Sequence, residues 1–294
     1  VRIATLSDLH TDHADNRDAL VKLALAIHEG AADLVLVAGD ISHKDDRIVR
    51  TLQALAVAAP KVAYLPGNHD LWFDVPFAPV RDDLNTWDRH DEGLKELVGA
   101  LGVHYLPSGP LYLGSVALVG SCGWYDAGFL LPEIRAQLPK DALQSKQLGG
   151  AMWSDARFIA FRDEQGALMD DASVARRMEA QMQEHLQQAQ ARPEVKHIVA
   201  ATHHLAFEDV VLRTGTLPWE FFNAFMGSAK MGEVIMAADK VSHVVYGHTH
   251  RRGRIELHGR TVYGTPLGYP RERAGLDEEG MVQACLGWID LPED

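Results

Sequence analysis

Short apolar runs that stop at polar, glycine-containing turns recur along the first part of the chain: RIATL before Ser7-Asp8, DLVLVA before Gly39-Asp40, and KVAYLP before Gly67-Asn68. Runs of this length bounded by turn residues predict buried strands. Between them, residues 17–28 and 46–58 carry apolar positions at helical spacing, so the pattern predicts β-α-β-α-β and a largely parallel sheet. Residues 102–120 break that rhythm. VHYLP, PLYL and SVALVG follow one another closely with no helix between them, which predicts antiparallel additions and a mixed sheet system.

From about residue 121 to 171 the periodicity blurs into an irregular, aromatic-containing insertion with a Gly-Gly pair. A Gln-rich amphipathic stretch, 172–191, predicts a helix with a solvated face. VKHIVAATHH then predicts a strand ending in histidines, 229–238 a helix, VSHVVYGHTH a further strand, and RRGRIELHGRTVYGT a closing hairpin turning near His258-Gly259. With no solenoid-length repeat and no Pro/Ser-rich linker, residues 1–294 are expected to form a single domain carrying the 121–171 insertion.

Composition narrows the function classes. A chain of 294 residues with 47% hydrophobic content is enzyme-sized. Its net charge of -13 opposes unspecific attraction to nucleic acid or anionic membrane. Cys122 and Cys285 are too few for a disulfide framework or a thiolate cluster, and the N-terminal VRIATLSDLH lacks the basic and apolar regions of a signal peptide. A cytoplasmic location with no membrane partner is expected. Oligomeric state is left open.

The chemistry-bearing residues fall where predicted strands stop: Asp8 and His10, Asp40, Asn68 with His69 and Asp70, His203 with His204, and His248 with His250. In α/β sheets, loops at the carboxyl ends of strands converge on one site. On extended backbone, His248 and His250 would project to the same face, within reach of a shared metal. Taken in order, SDLH, VAGD, PGNHD, THH and YGHTH resemble the five motifs of the calcineurin-like metallophosphoesterases, over roughly residues 1–265. That resemblance implies a four-layered αββα sandwich, two mixed β-sheets packed face to face with helices outside, and a site for two divalent or transition metal ions, Mn, Fe or Zn.

Carried over by position, the resemblance implies that Asp8, His10 and His250 hold one ion and that Asn68, His203 and His248 hold the other, with Asp40 bridging. Mixed oxygen and nitrogen donors suit such ions better than Ca. The pair would polarise a phosphoryl group and activate a bridging water for in-line attack on phosphorus. His69 is the matching general acid, with Asp70 expected to hold its ring and favour its protonated form. His204, Trp124, Tyr125 and Arg251 are candidate substrate contacts, while Trp72, Phe73 and Trp153 are further aromatic candidates near the site. The expected activity is hydrolysis of a small phosphodiester such as a cyclic nucleotide. A phosphomonoesterase, a protein phosphatase, a DNA nuclease or a non-catalytic scaffold are the alternatives on the same fold.

Overall fold

The computed structural model describes residues 1–75 and 83–292. Along them the strands are β1 (Arg2–Leu6), β2 (Leu34–Ala38), β3 (Val62–Leu65), β4 (His104–Tyr105), β5 (Leu111–Leu113), β6 (Val116–Ser121), β7 (Gln147–Leu148), β8 (Ala151–Met152), β9 (His197–Thr202), β10 (Val241–Tyr246), β11 (Gly253–Leu257), β12 (Arg260–Gly264) and β13 (Gly287–Asp290). One sheet has the order β13-β1-β2-β3-β4, and the other β11-β12-β10-β9-β6-β5. In the first, β1 to β4 are parallel and only β13 runs antiparallel. In the second, β6, β9, β10 and β12 are parallel, with β5 and β11 antiparallel at the two edges.

The central strands are apolar on both faces because both faces are covered. Leu34, Leu36, Ala63, Leu65, Leu118, Val199 and Val245 meet in the core between the sheets. Their neighbours Val35, Val37, Tyr64, Val119 and Ala200 face outward into the larger core under the helices. The helices Ala14–Glu29 and Asp45–Ala58 bury Leu20, Leu23 and Ile27, and Ile48, Leu52 and Leu55, at spacings of three and four residues. They connect the parallel strands β1, β2 and β3. The longest helix, Asp171–Ala191, packs against β6 and against the helix Ala229–Met236. The layer order helix, sheet, sheet, helix is that expected from the sequence.

Two strand assignments differ from the periodicity. β4 extends the first sheet in parallel, and β6 is parallel to β9, so only the β5/β6 pair is the antiparallel hairpin that close spacing predicts. The chain changes sheets between β4 and β5, a step that apolar patterning alone does not encode. The pattern also gave no sign of the helix Glu278–Cys285 or of β13, whose short GWID run alternates burial too briefly to stand out. The 121–171 segment holds short helices and the β7/β8 hairpin. No helix among the described residues is long and apolar enough to cross a membrane.

Candidate metal centre

Asp8, Asp40 and Asn68 follow the ends of β1, β2 and β3, while His203 and His248 follow those of β9 and β10. Parallel strands in each sheet bring these ends to one rim. The two sheets are joined there by the His203 ring, whose Nδ1 donates to the Ala38 carbonyl at 2.9 Å, and by the His248 amide, which donates to Asp8 Oδ1 at 2.8 Å. Backbone at this rim is unusual. Asp8, His10, Asp40, His248 and His250 all have positive φ, between 39° and 74°. Asp and His are among the few non-glycine residues that tolerate this region, and such strain collects at functional sites. It also corrects the extended-backbone expectation for the His-x-His pair: β10 stops at Tyr246, and the left-handed turns aim the two rings at different clusters. Gly67 is required by close approach, because a Cβ there would sit 2.1 Å from Asp40 Oδ1.

One cluster joins Asp8, His10 and His250, with His10 Nε2 3.0 Å from His250 Nε2 and His250 Nε2 3.5 Å from Asp8 Oδ1. A second joins Asp40, His203 and His248, with His203 Nε2 3.4 Å from Asp40 Oδ2 and 3.3 Å from His248 Nδ1. Asn68 Oδ1 approaches His203 Nε2 at 3.2 Å. Asp40 lies between the clusters, its Oδ2 also 3.8 Å from His10 Nε2 and 3.9 Å from His69 Nε2.

The outward-facing ring nitrogens are occupied. His250 Nδ1 meets Glu272 Oε2 at 2.8 Å, His248 Nε2 meets the Phe225 carbonyl at 3.1 Å, and His203 Nδ1 meets Ala38 as above. Each outward N–H fixes the tautomer that turns a lone pair inward. The inward nitrogens of His203 and His248 face each other at 3.3 Å, a contact that calls for a proton or another cation between them. Asp8 Oδ2 is buried with no hydrogen-bond partner, a further sign that positive charge belongs here. The protonation behaviour agrees. Burial opposes charge on His203, but Asp40, joined by Asp8, outweighs it and pushes the ring up to about 9. Burial would raise Asp40, yet His203 and His69 hold it well below the usual carboxylate range, whereas burial wins at Asp8 and raises it. Oxygen and imidazole donors without thiolates fit divalent cations.

His69 stands between the clusters and forms a third close group with His10 and Asp40. Its ring stacks on Trp72 with centroids 3.7 Å apart and its backbone amide donates to Asp40 Oδ1 at 2.9 Å; burial lowers its basicity while Asp40 acts against that. Asp70 does not hold this ring. Its two oxygens accept backbone N–H groups from Asp40, Gly67, Ile41 and Ser42 at 2.8–2.9 Å, so it clamps the loop that presents Asp40.

A cavity of about 320 Å³ opens onto Asp40, Asn68, His69, His248 and His250, and its remaining walls include Trp153, Trp219, Phe222, Met226, Tyr269, Arg271 and Glu272. Most of the substrate contacts expected from sequence lie elsewhere. Trp124 and Tyr125 are fully buried and stacked on each other, tied by their polar atoms to Asp171 and Asp155. His204 is buried beneath His248, with ring centroids 4.3 Å apart, and burial together with His203 lowers it to about 3. Arg251 is exposed outside the cavity, where Arg271 is the lining guanidinium, and Phe73 lies on a separate surface depression with His43 and Asp74. Trp153 does line the cavity.

Sequence reasoning missed Glu272, Tyr269, which stacks on His10 at 4.6 Å, and the 212–226 segment. That segment is organised by Glu220, a buried carboxylate accepting from the amides of Thr214 and Gly215 and from Asn223 Nδ2. The cluster WEFF after a Leu-Pro pair was its available sequence signal.

Against known proteins, the calcineurin-like phosphoesterase family matches residues 1–252. The chain is 37% identical over 67 residues to the [acyl-carrier-protein] phosphodiesterase PptH of Mycobacterium tuberculosis, an alignment spanning 23% of this chain and only 20% of that protein. The crystal structure of phosphopantetheinyl hydrolase (PptH) from the same organism superposes with a TM-score of 0.72 at 20% identity, covering 98% of this chain and 95% of that one. Five motifs at one rim of two mixed sheets, together with a family match over most of its length, establish that the chain belongs to the calcineurin-like phosphoesterases.

Proposed function

We propose that this metallophosphoesterase is a phosphodiesterase whose substrate joins a phosphate to a long uncharged organic arm, as in a phosphopantetheinyl carrier protein. The observation that carries this is the cavity wall. Beside the clusters stand Trp153, Trp219, Phe222 and Met226, and Arg271 is the only Lys or Arg among the described lining residues, accompanied by Glu272. A monoester dianion favours several cationic donors. One guanidinium and an aromatic wall suit the single charge of a diester and an esterifying group that buries apolar surface. A small cyclic diester has the same charge but leaves most of that wall uncovered. The likeness to PptH, whose name states a phosphodiesterase of acyl carrier protein, supports the same substrate class.

Asp8, His10 and His250 would hold one ion and Asn68, His203 and His248 the other, with Asp40 shared. Bound divalent ions supply Lewis-acid activation of the phosphoryl group and of the attacking water. The chain's own residues do the rest. Arg271 offsets charge on a non-bridging oxygen, and the aromatic wall orients the arm. His69, steadied by Trp72 and taking up a proton that Asp40 favours against burial, delivers that proton from Nε2 to the departing alcohol oxygen.

The test is a substrate panel of metal-loaded enzyme: holo-acyl carrier protein, cyclic nucleotides, bis-aryl phosphate, aryl monophosphate, phosphopeptide and duplex DNA. Release of phosphopantetheine from the carrier, and faster cleavage of the aryl diester than of the monoester, is the expected result. Preference for the monoester or phosphopeptide would make it a phosphatase, and best cleavage of duplex DNA at physiological salt a nuclease. No turnover of any substrate by protein holding two ions would leave the scaffold.

A further inference from the structure

Within the 121–171 insertion, one buried side chain is bonded directly to the motif that carries Asn68 and His69. Asp155 is 1% exposed and opens the short helix Asp155–Phe158. Its Oδ1 accepts from Asn68 Nδ2 at 2.9 Å and from Trp72 Nε1 at 2.7 Å, and its Oδ2 accepts from Trp153 Nε1 at 2.8 Å and from Tyr125 OH at 3.1 Å. Four donors thus close on one carboxylate.

The consequence follows from the two ends of an amide. A carboxylate with no proton to give accepts only from Nδ2 of Asn68, so Oδ1 must turn the other way, toward His203 Nε2 at 3.2 Å. A flipped amide would set oxygen against oxygen in a buried site and present N–H groups where a cation belongs. The same carboxylate holds the indole of Trp72, on which His69 stacks, and the indole of Trp153, which lines the cavity and lies 5.5 Å from the His248 ring. We infer that Asp155 is a positioning residue that fixes the Asn68 amide for metal binding and so couples the fold of the insertion to occupancy of the Asn68, His203 and His248 site. This rests on the two-ion reading above.

Chelator-stripped protein titrated calorimetrically with Mn²⁺ tests it. Wild type is expected to take up two ions, and Asp155→Ala to bind one of them about 10–100-fold more weakly while the other changes little, as is usual when a hydrogen-bond partner of a ligand is lost. Asp155→Asn, which keeps one acceptor oxygen, is expected to fall between them, and in an Asn68→Ala background it should have no further effect on ion affinity. A folded Asp155→Ala protein that binds both ions as wild type does, or loses both by the same factor, overturns the proposal. Should circular dichroism show Asp155→Ala unfolded, Asp155→Asn decides: unchanged affinity for both ions, or an equal loss with Asn68 absent, overturns it. Uptake of fewer than two ions by wild type instead overturns the two-ion reading itself.

Discussion

His69 faces Asp40, the carboxylate between the two ligand clusters, and is the proton donor of the proposed function, which makes its substitution informative. His69→Asn should keep both ions and lower kcat by about 10²–10⁴ for an alkyl leaving group, the usual range for general acid catalysis, but by much less for an aryl leaving group that needs little protonation. Equal losses on the two substrates would assign His69 another task. Residues with strong local signatures were legible from the sequence: the Asp and His positions at strand ends that resemble the family motifs lie together in the structure, with Asn68 beside His203. The residues that hold them in place were not. Asp155 lies 87 positions from Asn68, and Glu272 lies 22 from His250, so neither pairing leaves a local pattern, and Asp70 was assigned to the His69 ring although its oxygens serve four backbone amides.

Among the elements, the helix Asp171–Ala191 shows what periodicity reads well and what it overlooks. Its Gln-rich face is solvated as expected, while Val174, Met178, Met182, Leu186 and Ala189 form the stripe that packs inward. His185 shares that buried stripe, and its Nδ1 has no hydrogen-bond partner. Burial lowers its pKa below the ordinary 6.5, with Glu184 acting weakly against it. Below 6.5 the unfolded chain binds a proton that folded His185 resists, so its contribution to stability is full above that value and declines as pH falls. In the chelator-treated protein, His185→Leu should therefore shift the change in urea midpoint between about pH 7.5 and 5.5 toward greater acid stability, without loss at the upper end. A slope unchanged by the substitution would place the acid sensitivity elsewhere. Other elements were less legible because burial on both faces conceals direction. The short strands β4 and β6 lie close in sequence, but the first joins one sheet and the second the other, and only pairing partners distinguish them.

At the scale of the molecule, the candidate ligands are contributed by both sheets: Asp8, Asp40 and Asn68 from the ends of β1, β2 and β3, and His203, His248 and His250 from beyond β9 and β10. Ions held there would cross-link two sheets that otherwise meet through the apolar core and a few rim hydrogen bonds. Without them the rim keeps costly features: an unpartnered buried oxygen on Asp8, facing imidazole nitrogens, and a chain whose net charge is -13. Metal binding should consequently register as global stability. A ligand that binds only the folded state at a hundred times its Kd stabilises by about 2.7 kcal/mol, which for a chain of 294 residues corresponds to a rise of roughly 4–5 °C in Tm. Thermal unfolding followed with EDTA and then with rising Mn²⁺ is expected to show that increase for wild type. It should largely vanish in Asp40→Asn, where the shared carboxylate loses its charge, and persist in His69→Asn. If Mn²⁺ leaves the wild-type Tm where EDTA set it, the rim does not hold ions between the sheets, and the assignment of Asp8, Asp40 and the histidines as ligands falls with it.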